Sequence, residues 1–412
     1  MNDKDTPTQP DLETQEISPT SEKAPDGGYG WIVTTSVAIV NGHSWGINAA
    51  YSVFLAHFVQ ENTFPGTTPL MYAIAGSLSV GVMMLISPFA TIMARELGTR
   101  PTMLIGATVQ SVSLWFTRRR ALANGIAIAG AGLGGLTYSL ATGAIIRNMG
   151  LEWAYRILAI VSAVANTTCT LLIRTQYNSQ ATRLAFDTTL LHRPEYLLAL
   201  SYGAFSMLGY FVLIFTLANY ANVIGLSSSQ ASTIPAFFMF GQAIGRPCIG
   251  WLSDRFGRIN LTFIMSFITG ILTFAIWINA KSFGVLLTFA LVGGLSAGVF
   301  WVNISPVLVE VMGLENLASA LSCLWVAMAV PSTFSAPIAL EIYTGTGSYL
   351  GAQLFTGFMY IAAAFCVLGV RRWKIRSLAG EKTRCTASAP GEDEQDLKLR
   401  RWTLKCLQFD IV

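Results

Sequence analysis

The chain has 412 residues, 53% of them hydrophobic and 12% charged, with a formal net charge of +4. Soluble domains carry roughly a quarter charged residues, so this composition excludes a soluble globular protein. The apolar residues fall in long blocks, each able to cross a hydrocarbon core of about 30 Å. A membrane barrel would instead show short alternating segments, so the sequence predicts an all-α polytopic membrane protein.

Residues 1–24 are polar and rich in Thr, Glu, Asp and Pro. They read as a disordered cytoplasmic tail, without the basic-then-apolar order of a signal peptide. Apolar blocks then run at about 31–58, 70–94, 101–117, 121–147, 152–174, 195–220, 229–252, 260–280, 283–309, 316–342 and 349–370. A short cytoplasmic linker is expected at 176–194 and a charged cytoplasmic tail at 372–412. Arg95 and Arg100, Arg118–Arg120, Arg174, Arg183 and Arg193, Arg255 and Arg258, and Arg371–Arg376 lie between or after the blocks. The connectors 59–69, 221–228 and 343–348 carry no Lys or Arg. The positive-inside rule puts the basic connectors, and both termini, in the cytoplasm. The six cysteines, Cys169, Cys248, Cys323, Cys366, Cys385 and Cys406, show no metal-site spacing and read as free thiols or small core residues.

One segment breaks the pattern. Arg100 and Arg118 both belong in the cytoplasm, so an even number of crossings must separate them. Residues 101–117 number 17 and reach about 25 Å as a helix, which is one marginal crossing and never two. An internal repeat bears on this. "ARELGTRPTMLI" (Ala94–Ile105) and "SDRFGRINLTFI" (Ser253–Ile264) each link two apolar blocks, with Gly98 matching Gly257. The charge pair Arg95–Glu96 matches Asp254–Arg255 with the signs reversed. Parallel repeats of this kind build many secondary transporters. Six spans are readable after Pro194, but only four clear ones and the short segment before it.

Several motifs then resemble one family. "PDGGYGWIV" (Pro25–Val33) is similar to the start of the first span of monocarboxylate-porter-like proteins of the major facilitator superfamily. "WFTRRRALANGIAIAGAGLGG" (Trp115–Gly135) resembles the start of that family's fifth span, "WAYRILAI" (Trp153–Ile160) its sixth, and "GWLSDRFGR" (Gly250–Arg258) the loop between its eighth and ninth. "ENTFPGTTPLMYAIAGSL" (Glu61–Leu78) resembles its fungal branch. The resemblance covers about residues 25–375 and implies two helical halves, an N-terminal one at 25–175 and a C-terminal six-helix one at 195–371. It also implies that 40–50 residues, the end of the third span and most of the fourth, are absent at a junction near Leu114–Trp115. That leaves 10–11 spans instead of 12.

The resemblance implies a first-span lysine and an Asp/Arg pair in the eighth span. Here Ala49 and Gln242 stand at the lysine and acid positions, and Arg246 keeps the arginine. Arg246 either binds a substrate anion through its planar fork or snorkels to the membrane face. Gln242, at i−4 on the same face, either touches substrate or makes an interhelical hydrogen bond. Asn48 and His43 put polar atoms into the first block, His43 as a titratable group or a packing residue. Trp301 and Asn303 read as cavity or core. Asp254, Arg255 and Arg258, with Arg95 and Glu96, read as a cytoplasmic latch or as topology markers. Gly125, Gly130 and Gly134 are spaced for close helix packing.

The expected function is secondary active transport of a small organic solute, a monocarboxylate-like anion or secondary metabolite, by alternating access, with or without a proton. The competing expectations are a non-transporting sensor or partner-binding homologue, or an inactive truncated product. With histidines scattered at 43, 57 and 192, no catalytic cluster is legible and no enzyme is expected. No cofactor, metal, nucleic acid or protein partner is expected beyond the lipid bilayer. The plasma membrane is the expected location, with a vacuolar or other internal membrane as the alternative.

Overall fold

The computed structural model describes residues 27–49, 69–97, 115–173 and 187–387, with residues 51, 54, 58, 66, 101, 102 and 112 between them. The expected tail 1–24, residues 388–412, most of the linker and most of the 101–117 segment lie outside the described residues. The helices are α1 (Tyr29–Ala49), α2 (Pro69–Leu85), α3 (Ser87–Glu96), α4 (Arg120–Met149), α5 (Leu151–Leu172), α6 (Pro194–Val223), α7 (Ser228–Phe256), α8 (Arg258–Leu272), α9 (Phe283–Ala297), α10 (Val299–Met312), α11 (Leu317–Thr346) and α12 (Leu350–Ala387). No strand occurs among the described residues.

Eight stretches are long and apolar enough to cross a membrane: α2 with α3, α4, α5, α6, α8 and its continuation to Trp277, α9 with α10, α11, and α12. Helices α1 and α7 have the length, 21 and 29 residues, but less apolar sequence. Their polar residues include Asn41, His43 and Asn48 in α1, and Gln242, Arg246, Ser253 and Asp254 in α7. Apart from the partly exposed Asn48, these are buried or half-buried against other helices, so a protein-facing polar stripe lowers the hydropathy without exposing charge to lipid. With these two, ten stretches among the described residues have the length to cross a membrane, eight of them apolar enough by sequence.

Two expected single blocks are broken. Pro88, in the first turn of α3, has no N–H to continue the helix from α2. Gly298 lies at the break between α9 and α10, where a side chain would meet Cγ and Nε of Arg246 at 3.2 Å. The last helix does not stop at the basic cluster but runs to Ala387. Arg, Lys, Leu and Ala in that stretch favour helix, so the expected tail begins as helix.

Small residues set the closest crossings. Gly42 and Gly46 of α1 meet Gly130 and Gly134 of α4 backbone to backbone, and Gly125 and Gly132 of α4 lie against α7 at Arg246, Pro247 and Ala243. Gly241 and Gly245 of α7 meet Leu291 and Leu295 of α9. Two distant sequence motifs also meet. Trp31 packs edge-on against Phe116 at 4.9 Å, and Tyr29 lies 5.8 Å from Trp115, so the first-span start and the "WF" before the arginines share one small core.

The two halves touch along α4–α7 and α2/α3–α11. The contacts run from the arginine-bearing end inward: Gly250 on Ala121, Gly132 on Ala243, Gly81 on Ala329 and Thr333, and Thr91 bonded to Ser322 at 2.7 Å. The bundle is thus closed at its basic end.

Internally the halves are unequal. In the C-terminal half α7 packs on α9, and α8 packs on α12. In the N-terminal half α2 and α3 lean on α11 of the opposite half. Only 17% of the apolar window of α5 is buried, against 44% for α12, which has the matching place in the repeat. The neighbours that α9 and α8 supply in one half have no counterpart among the described residues of the other.

Candidate functional site

Helix α7 carries Arg246 into the middle of the bundle, where it is 4% exposed. Its Nη1 donates to the backbone carbonyl of Ile128 on α4 at 2.7 Å, across the boundary between the halves. Its Nη2 donates to the Tyr210 hydroxyl at 3.0 Å and to Oε1 of Gln242. Tyr210, on α6, also donates to Gln242 Oε1 at 2.8 Å. Gln242 is fully buried, one turn before Arg246 on the same face, so the i, i+4 reading of the pair is realised in space. Arg246 does not snorkel. These bonded partners are all neutral. Two buried donor atoms of this group, Arg246 Nε and Gln242 Nε2, have no partner. A buried cation ringed by unused donors is a place for an acceptor-rich anion.

The other sequence candidates separate. Trp301 stands beside this group, its ring 5.8 Å from that of Tyr210. Asn303 does not join it: it accepts from Ser253 Oγ at 2.9 Å and donates to Thr262 Oγ1 at 2.8 Å. It is fully buried, tying α10 to α7 and α8. Asn48 donates to Ser79 on α2 at 3.4 Å. His43 is turned from Trp45 toward Tyr138 on α4, to which its Nδ1 is hydrogen-bonded. Gly125, Gly130 and Gly134 all lie at helix crossings.

At the basic end, Asp254 receives the backbone N–H of Ala121 at 3.1 Å and of Leu122 at 2.9 Å. Its carboxylate thus caps the N-terminus of a helix in the opposite half, where unpaired donors and the helix dipole favour negative charge. Arg258 bonds Asp254 at 3.1 Å, Glu310 at 3.1 Å and the Thr117 carbonyl of the other half at 3.1 Å. Lys374 donates to the Glu310 carbonyl at 2.8 Å. Arg255 stays outside this cluster, exposed and over the Trp251 ring at 5.6 Å. Glu96 ends α3 exposed, and the side chain of Arg95 lies outside the described residues.

Three participants escaped the sequence reading. Glu310 is a lone acid closing an apolar block, which was a usable signal. Asn124 donates to the Val302 carbonyl at 2.7 Å across the halves. Pro306, four residues on, has no N–H for that carbonyl, so Pro306 marked the acceptor but nothing marked its donor. Tyr210 had no sequence signal, because what selects it is its nearness to Arg246. In the linker, the Thr189 hydroxyl and N–H donate to Asp187 at 2.7 and 2.9 Å, and with Arg193 nearby they hold its carboxyl below the usual range.

Residues 199–390 match the family model described as Major Facilitator Superfamily. The fold agrees: the proton:xylose symporter XylE superposes with a TM-score of 0.63 at 13% identity, over 84% of this chain and 95% of that one. The chain is similar to transporters of the major facilitator superfamily. It is a multi-pass membrane transporter and not an enzyme. Probable transporter MCH2 of Saccharomyces cerevisiae is 28% identical over 86% of this chain and 84% of its own. Uncharacterized transporter ESBP6 of the same yeast is 29% identical over 98% of this chain and 67% of its own. Monocarboxylate transporter 10 of Danio rerio is 24% identical over 82% and 77%. These relatives fit the fungal-type, monocarboxylate-porter-like branch. The ESBP6 alignment spans 460 positions against a chain of 412 residues, so at least 48 of them have no residue here.

Proposed function

We propose that this transporter moves a small, monocarboxylate-like organic anion by alternating access of its two halves, and that Arg246 with Gln242 and Tyr210 holds the carboxylate. One observation carries the reading. Arg246 is a buried cation in a spanning helix whose bonded partners are all neutral. An uncompensated charge at membrane depth costs about 2.5–3.5 kcal/mol on insertion scales, and an anionic substrate offsets it. The basic end faces the cytoplasm of a plasma-membrane protein on this reading, which follows the positive-inside rule. The bundle, closed there, then stands in an outward-facing state, with the Asp254–Arg258 cluster as its latch. Uptake by Arg246→Ala is the test: loss of anion transport with normal expression is expected, and unchanged transport removes Arg246 from the site.

A second reading has its own support. We infer that the third and fourth spans are interrupted near Leu114–Trp115. The unmatched ESBP6 positions and the uneven halves both support this. A chain with this gap is either an inactive product or an incomplete reading of the gene. One transcript sequenced across codons 105–118 decides between a real deletion and a missing coding segment.

A further inference from the structure

Trp301 is anomalous within its helix. From Ser296 to Leu308 every other residue is buried, and Trp301 keeps partial exposure. Helix α10 packs on α4, α6, α7, α8 and α11, so it sits at the centre of the bundle and an opening there faces the space between the halves rather than lipid. Two more half-buried indoles meet it. Trp45 of α1 approaches edge-on at 5.2 Å, and Trp325 of α11 stacks on it at 5.6 Å and 19°. Tyr210 joins Trp301 to Arg246, lying 5.8 Å from the indole and hydrogen-bonded to the guanidinium.

A cluster serving only as core would bury its faces fully. This one keeps its three indoles partly open, beside the buried, unused donors of Gln242 and Arg246. One wall is therefore π surface and the adjoining wall is hydrogen-bond donors with a positive charge. The ligand that meets both at once has a flat ring joined directly to a carboxylate.

We infer that Trp45, Trp301 and Trp325 form a ring-binding shelf beside Arg246, which selects planar aromatic carboxylates over short aliphatic ones. This rests on the anion reading of Arg246. It also draws on both halves, since Trp45 comes from α1 and the other two from α10 and α11. Opening or closing of the halves thereby changes the shelf.

Calorimetric titration of the purified full chain with benzoate, cyclohexanecarboxylate and acetate tests it. Benzoate is expected to bind about tenfold tighter than acetate and several-fold tighter than cyclohexanecarboxylate, in line with ring-stacking magnitudes. Trp301→Leu brings benzoate to within about twofold of cyclohexanecarboxylate while leaving acetate bound, which also shows that the variant is folded. Trp301→Phe keeps most of the preference. Equal affinities in the unaltered chain, or an unchanged ratio in Trp301→Leu, overturn the shelf and leave the anion site standing. If no carboxylate binds, or Arg246→Gln binds all three as before, the anion reading fails and the shelf with it.

Discussion

At Asp254 a single carboxylate does what two separate sequence features could not announce. It lies among arginines that mark topology, yet its partners include two backbone N–H groups of a helix 132 and 133 residues away. A charge capping a helix N-terminus contributes about 0.3–2 kcal/mol. Asp254→Asn keeps the shape and loses the charge, so the closed basic end should weaken by up to about thirtyfold in population. Spin labels at the exposed Arg119 and Phe256 read this directly: a longer-distance population should grow, and an unchanged distribution would remove Asp254 from the latch. His43 is the counterpart on the first helix. Its bond to Tyr138 places it away from the indole group, so His43→Gln should leave carboxylate binding intact. If the transporter couples to protons through this pair, the same variant loses the response of uptake to an imposed pH gradient. A retained response excludes His43 as the carrier.

The helices themselves were read from length and hydropathy, and their contacts from small residues. The α1–α4 crossing is the tightest expression of this. A side chain on Gly134 would overlap the backbone of Gly42, and no rotamer of a neighbour relieves a backbone clash. Gly134→Val should therefore cost about 3 kcal/mol, seen as loss of monodisperse protein or a lowered unfolding midpoint. Gly345, with nothing within 4 Å, is the control: Gly345→Ala should be neutral or slightly stabilising, since alanine favours helix over glycine. The broken elements are equally informative. Hydropathy alone merged α9 with α10, because the break at Gly298 comes with no change in polarity.

At the scale of the whole molecule the unevenness of the halves dominates. α5 is the least buried of the candidate spans, and α2 and α3 pack mainly on the opposite half. A restored segment of roughly 40–50 residues, two helices at about 20 residues each with a turn, would give α5 and α2 the neighbours that α12 and α7 already have. A transcript carrying such a segment between codons 105 and 118 is the expected finding. The protein it encodes should melt higher and take up substrate better than the 412-residue chain. Equal stability and transport would mean that the shorter bundle is complete as it stands.

Composition, block length and the spacing of charges determined the membrane-spanning helical class, and they raised the expectation of a repeat whose first half is short. Those properties are local or additive, so they survive in one dimension. The six expected substrate contacts fared differently. Arg246, Gln242 and Trp301 converge, while Asn303 locks three helices together, and His43 and Asn48 turn to other neighbours. Every one of these is a polar or aromatic residue within an apolar block, and the linear pattern assigns them the same standing. What divides them is the direction of each side chain and which helix stands opposite. Crossings between distant glycines fix both, and they bring α4 against α7 only when the whole bundle is assembled.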